Sequence, residues 1–151
     1  MKLEDQCVSL DLARQLKELG VEQNSYFKWE ERECGYTEIY HSKPVSCAHK
    51  YYSAFTVAEL FDLLPAIITT KKSIPFNNFF LKLVKRTTKN IQYIINYECD
   101  TKRFDDLGFT TLMDHNIYDE KLADCLAKML IHLIKNKIIT FGKVYITEHL
   151  V

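Results

Sequence analysis

Cysteine and histidine gather at one place in this chain. Cys34, His41, Cys47 and His49 fall within sixteen positions, and tetrahedral zinc takes thiolate and imidazole ligands of this kind. Their spacing is C-x6-H-x5-C-x-H. Structural zinc sites usually present a CxxC or HxxxH knuckle, because one tight turn must aim two ligands inward. This cluster has no such knuckle. The four residues are weak metal candidates, and neither a bound metal nor a cofactor is expected. Cys125 and His132 lie seven apart in an apolar stretch, which puts them on nearby faces of a helix. Cys125 reads as core filler and His132 as a flank of the apolar stripe. There is no serine, histidine and carboxylate set in a nucleophile motif, no P-loop and no dinucleotide fingerprint. These absences point away from a common enzyme, although folding can assemble a site that sequence hides.

Charge distribution carries a second kind of chemistry. The 20 basic and 20 acidic residues cancel, so the whole molecule has no bulk attraction to nucleic acid or membranes. The cancellation is uneven. From Leu63 to Tyr97 there is no acidic residue, while Lys71, Lys72, Lys82, Lys85, Arg86 and Lys89 are basic. Phe76, Phe79, Phe80 and Tyr93 interleave with them. A basic strand face with aromatics can hold single-stranded nucleic acid by stacking and phosphate contacts. Phe80, Lys82, Arg86 and Lys89 would be its binding residues. The competing reading is a solvated sheet face over ordinary core aromatics.

Strands and helices must position these groups. Phe79 to Arg86 and Ile91 to Tyr97 form the clearest strand pair. Phe79, Leu81, Leu83, Tyr93, Ile95 and Tyr97 are all odd-numbered, so they share one face only if odd positions pair with odd. A three-residue loop, Thr88 to Asn90, does this. It sets Leu83 opposite Ile95 and Leu81 opposite Tyr97, with Asn90 suited to the αL position such a loop needs. A one-residue slip would turn every side chain over. The expected outer face carries Phe80, Lys82, Val84, Arg86, Gln92, Ile94 and Asn96.

The core element is the helix expected from Tyr118 to Asn136. Leu122, Leu126, Met129, Leu130, Leu133 and Ile134 recur at three- and four-residue steps, one face of a 3.6-residue period. Ala123 and Ala127 would allow close approach of a neighbour. Asn136 is expected to end the helix in the αL conformation. Near the N-terminus, Ser9 is the expected N-cap of a helix from Leu10 to Leu19 whose buried stripe is Leu12, Leu16 and Leu19, helped by Val8. Gly20 and Val21 complete a Schellman stop. Arg14 to Val21 echoes the Nudix hydrolase helix, but that motif needs a row of glutamates and only Glu18 is present. A helix-turn-helix would need a recognition helix next, and strand-like sequence follows instead.

Ser25 to His41 reads as a hairpin broken at Cys34-Gly35, with Tyr26, Lys28 and Glu30 on one face and Phe27, Trp29 and Glu31 on the other. Ser42 to Lys50 reads as a loop and Tyr51 to Phe55 as a short strand. Thr56-x-x-Glu59 is a capping box for a helix from Val57 to Leu64, stapled by Phe55 and Leu60. Ile67 to Ser73 is extended or irregular, and Asp100 to Thr111 a polar connection. Ile138 to Phe141 and Val144 to Ile146 make small final strands.

With 151 residues, 47% hydrophobic and 26% charged, the chain reads as one globular domain, residues 1–151. No run reaches the roughly 18 apolar residues of a membrane span. The N-terminus lacks the apolar core of a signal peptide. A cytoplasmic setting with no membrane partner follows, and the five cysteines read as free thiols. The fold class is α+β: an antiparallel sheet against a long C-terminal helix, with two shorter helices.

Cys7 to Gly20, Tyr26 to Trp29, Ala54 to Leu60 with Leu64-Pro65, and Leu122 to Ile131 running on to Asn136 together carry a resemblance. Their order and spacing resemble short uncharacterised proteins encoded in bacterial prophages and phage-like islands. The likeness spans about Cys7 to Ile139. In that pattern glycine often follows the asparagine that ends the long helix; here Lys137 stands there, which leaves the cap to Asn136. The resemblance brings no activity and no site residues. It implies a mobile-element origin. The leading expectation is a non-enzymatic accessory protein that binds a protein partner. The alternative is a single-stranded nucleic-acid binder using the hairpin 79–97, and the third is an enzyme with an unrecognised site.

Overall fold

The C-terminal helix is buried on almost every side. In the computed structural model, which describes residues 2–33, 35–41, 50–69, 78–87, 92–99, 116–140 and 143–144, Ala123, Cys125, Leu126, Ala127, Met129, Leu130, Ile131 and Leu133 are all buried. These eight cover far more than the one stripe expected from the period. The less buried positions are Leu122, Asp124, Lys128, His132, Ile134 and Lys135. A helix that is apolar nearly all round must be enclosed, and the rest of the chain supplies the enclosure.

The elements run α1 (Leu3–Gln6), α2 (Leu10–Glu18), β1 (Phe27–Glu31), β2 (Thr37–His41), β3 (Lys50–Ser53), α3 (Val57–Leu63), β4 (Ile67–Thr69), β5 (Asn78–Arg86), β6 (Gln92–Cys99), β7 (Ile117–Asp119), α4 (Leu122–Lys135), β8 (Ile139–Thr140) and β9 (Lys143–Val144). Among the described residues the strands form antiparallel sheets in the orders β2-β1-β3, β4-β5-β6-β7 and β8-β9. Helix α4 packs on β6 and β7, and also against α2 and α3. This is an α+β fold. None of its described helices is long and apolar enough to cross a membrane.

The central hairpin has the expected register. Leu83 pairs with Ile95, Leu81 with Tyr97 and Arg86 with Gln92. Ile68, Phe79, Ile95 and Tyr97 face the core and are buried. The tip, residues 88–91, lies outside the described residues. So do residues 42–49, 70–77 and 100–115, on which the expected loop after His41, the end of the irregular stretch and the polar connection fall. Within Ile67 to Ser73, Ile67–Thr69 is a regular strand, because its partner β5 lies alongside.

Two expectations at α4 are overturned. The helix begins at Leu122, not Tyr118, and Ile117–Asp119 is strand β7 at the sheet edge. A β-branched residue and an aromatic suit a strand, and β6 is there to pair with them. The Lys121 N–H then donates to Asp119 Oδ1 at 2.8 Å, an Asx turn that separates strand from helix. At the other end Asn136 stays near the helical region (φ −87°), and Lys137 takes the left-handed conformation at φ +56°. The Ile138 N–H bonds to Leu133 O and the Lys137 N–H to Ile134 O, a full Schellman pattern. Asn136 serves it differently: its Nδ2 donates to His132 O at 2.8 Å.

Helix α2 ends in the same pattern, with Gly20 at φ +83° and Val21 N–H bonded to Leu16 O. Ser9 is its N-cap, as expected, although the Ser9 side chain makes no cap bond. Instead the Ser9 backbone N–H donates to Asp124 Oδ1 at 2.7 Å, in the first turn of α4. The short α1 had no counterpart in the periodic pattern. It leads into an isolated bridge between Cys7 and Thr56.

Leu126 and Leu130 are fully buried. Truncating either to alanine should cost about 2–5 kcal/mol from lost transfer energy and the cavity left behind; chemical denaturation giving under ~1 kcal/mol at both sites would show that this stripe is not the core.

Lys137→Gly should act in the other direction. The left-handed conformation costs a non-glycine residue ~1–2 kcal/mol, partly offset by the greater chain entropy of glycine. A net gain of about 0.5–1 kcal/mol is expected by denaturation, and a loss would mean that Lys137 makes a compensating contact.

Candidate functional site

The expected nucleic-acid residues fall where the register sends them. Phe80, Lys82 and Arg86 lie on the outer face of the four-stranded sheet and are exposed. Lys89 lies outside the described residues. Lys82 is not a bare cation: its Nζ sits 2.7 Å from Glu98 Oε2. Of the zinc candidates, Cys34, Cys47 and His49 lie outside the described residues. His41 is on β2, its ring edge-on to Phe27 at 5.5 Å. Among the described residues no three metal-ligating side chains come together.

The outer face is not uniformly wet, contrary to expectation. Ile94 and Asn96 are buried at 6% and 3% exposure. Around them lie two apolar rows. Ile67 pairs with Phe80, and each is 45% exposed. Val84, Ile94 and Tyr118 form a row across β5, β6 and β7, in which Val84 is 37% and Tyr118 46% exposed. A polar row separates them. Asn96 Nδ2 donates to Asn116 Oδ1 at 2.7 Å, and Asn96 Oδ1 accepts the Tyr97 N–H at 2.7 Å. The buried amide is therefore satisfied on both ends, which spares the cost of an unpaired polar group. The hairpin register already sets Val84 beside Ile94, whereas Tyr118 joins the row only because β7 pairs with β6.

The three-stranded sheet carries a polar network on its own outer face. Glu30 is buried, with Arg32 Nε and Nη2 bonded to its Oε2 at 3.3 and 3.1 Å and Tyr51 OH donating to its Oε1. Arg32 Nη2 also donates to Tyr40 OH at 2.6 Å, and Tyr40 OH donates to Glu38 Oε2 at 2.7 Å. Hydrogen bonds to Glu38 and Glu30 push the Tyr40 phenol up to about 12. On the same face Lys28 bonds separately to Gln23 O and Ser53 Oγ. The network reads as a structural lock.

Two thiols are unavailable for chemistry. Cys7 and Cys125 are fully buried, and burial pushes each up to about 11. Both stay protonated at neutral pH, so neither is a ready nucleophile. Cys125 fills the core as expected, with its Sγ donating toward Tyr93 O and Ile117 O. A cleft of about 610 Å³ lies between α1 and the starts of α3 and α4, over Val57, Leu122 and Tyr93, with Asp5, Glu120 and Lys121 at its rim. A second groove, about 490 Å³, runs between β7 and helices α2 and α4.

Glu59 joins these parts. Its Oε2 accepts the Thr56 N–H and hydroxyl, each at 2.7 Å, and the Ser25 hydroxyl at 3.1 Å. Its Oε1 accepts the Tyr26 N–H at 2.9 Å. The expected capping box is thus present, and it also holds the lead-in to β1. Burial works to raise the Glu59 carboxyl, but the bonds from Thr56, Tyr26 and Ser25 outweigh it and hold it below the ordinary glutamate value. Comparison with protein-family models, with curated proteins and with solved structures finds no match to this chain.

Because the folded carboxyl is the stronger acid, its contribution to stability is full above the ordinary glutamate pKa. It is lost as pH falls through the lowered value. Glu59→Gln should therefore cost about 1–2 kcal/mol near neutrality, and the gap to the wild type should close in acid. Denaturation across pH reads both, and a gap that stays constant into acid would show that the charge is irrelevant.

Proposed function

We propose that this is a small non-enzymatic accessory protein of a prophage or related mobile element, working in the cytoplasm by binding a protein partner. One observation carries the binding reading: the two apolar rows exposed on the outer face of the four-stranded sheet, Ile67 with Phe80 and Val84 with Tyr118. Exposed apolar side chains gathered on one rigid face mark an interaction surface, whereas single scattered ones do not. The polar row between them, Asn96 with Asn116 and Lys82 with Glu98, supplies the fixed polar groups that give such a surface orientation. The non-enzymatic part rests on the sequence, which carries no nucleophile motif, P-loop or dinucleotide fingerprint. The mobile-element origin rests on the sequence resemblance.

Single-stranded nucleic-acid binding is the second reading. It is favoured by the register, which puts Phe80, Lys82 and Arg86 on one face. Glu98 weighs against it by holding Lys82 Nζ.

Affinity capture from cells separates the two. A protein should co-purify with the wild type and be lost with a Phe80→Ser, Val84→Ser variant. These exposed substitutions should change stability by no more than about 0.5 kcal/mol each. If nothing co-purifies, or if the same protein is kept by the variant, the apolar face is not the binding surface. Salt-sensitive retention of single-stranded oligonucleotides, abolished by Lys82→Glu with Arg86→Glu, would transfer the assignment to nucleic acid.

A further inference from the structure

Strand β7 is the edge of the four-stranded sheet, and among the described residues it pairs with β6 alone. An edge strand presents backbone N–H and C=O groups that can pair with another chain. Beyond β7 lies the groove of about 490 Å³ whose far wall is built by α2 and α4. Leu12 and Ile131 form its apolar floor together with Ile117 of the strand itself. Its α4 wall is Lys128, His132 and Lys135, three positions on the less buried stripe of that helix. Among the described residues no carboxylate lines the groove. Asp119, on β7, holds Lys128 Nζ with its Oδ2 at 2.5 Å. Lys135 lies exposed in the last turn of α4. The groove therefore combines a strand edge, an apolar floor and an α4 wall on which Lys135 is exposed beside the Lys128–Asp119 pair.

We propose that this groove takes an extended acidic segment of a protein partner, which adds to β7 as a further strand and lays its carboxylates against Lys135 and Lys128. Strand addition draws affinity from main-chain hydrogen bonds and specificity from alternate side chains. Here the inward-facing set of side chains would meet both, its apolar member on the floor of Leu12, Ile117 and Ile131 and its carboxylates on the α4 wall. A strand of three residues spans about 10 Å, so the segment read is short. This goes beyond the binding face proposed above, because it rests on the sheet edge and the cations rather than on the apolar rows.

The probes are short fluorescein-labelled peptides whose inward-facing set is valine flanked by glutamate or by lysine, with threonine at the positions between, followed by anisotropy at low salt. The glutamate peptide should bind saturably and about tenfold or more tighter than the lysine peptide, a difference of ~1.4 kcal/mol. Lys135→Glu, an exposed change that leaves the Lys128–Asp119 pair in place, should weaken it several-fold, and salt should do the same. Backbone amide resonances of Asn116 to Asp119 should shift on addition. The Phe80→Ser, Val84→Ser variant should bind the peptide as the wild type does, so failure of the apolar-face reading and failure of this one are told apart. No saturable binding, equal binding of the two peptides, or shifts confined to other strands would overturn the proposal. Displacement of the peptide by a single-stranded oligonucleotide would assign the cations to nucleic acid and overturn it as well.

Discussion

The structure depends on enclosing α4. Its buried residues lie on nearly every side, with Asp124, Lys128, His132 and Lys135 forming a polar stripe. A helix of this kind gains little by lying on a single sheet, because its second apolar side would stay in water. The chain meets this with β6 and β7 on one side and α2 and α3 on another. Ala123 and Ala127 are fully buried, and small side chains let neighbouring elements come near the helix backbone. Cys125 is the one buried residue on this helix with a hydrogen-bonding side chain, and its thiol reaches carbonyls of the sheet.

A hydrophobic core is not directional, so polar bonds must set how the layers sit. Four such anchors stand at junctions. The Asp124 carboxylate takes the Ser9 N–H, fixing the start of α2 to the first turn of α4. It also suits that place electrostatically, since acids are favoured at helix starts. The Glu59 carboxylate takes groups from α3 and from the approach to β1. Trp29 Nε1 donates to Val8 O at 2.8 Å, and Arg14 bonds Glu31, so the three-stranded sheet is tied to α2 and its lead-in. Each bond is made by a residue whose other duty is local, as a cap or strand member.

Local rules made much of this legible. The Thr56–Glu59 box, the Gly20 stop and the odd–odd hairpin register are each decided by residues close in the chain or by a period that only one pairing satisfies. What sequence reasoning missed depends on a partner far away. Ile67–Thr69 is a strand because β5 lies beside it, and Tyr118 leaves the helix because β6 offers it a ladder. Lys137 takes the left-handed position because the turn into β8 must come there: Ile138 is buried and bonded to Leu133. That geometry overrode the propensity of asparagine. For the candidate site, the face of Phe80, Lys82 and Arg86 was readable from the hairpin. The burial of Ile94 and Asn96 was not, because their neighbours Tyr118 and Asn116 arrive from β7.

The functional weight of the sheet follows from where its two surfaces meet. Tyr118 ends the row that begins at Val84, and it also lines the groove beside β7. A partner covering the row from Val84 to Tyr118 would therefore also reach the sheet edge. On the hairpin the positive charge is split: Lys82 and Arg86 face outward, Lys82 against Glu98, whereas Lys85 has the opposite parity and lies over the Tyr93 ring at 5.8 Å. Phosphate binding along a strand gains from cations that add on one face, and this hairpin divides its cations between two. The apolar side chains do add, because pairing sets them side by side in rows. That contrast is the physical ground for ranking a protein partner above a nucleic acid.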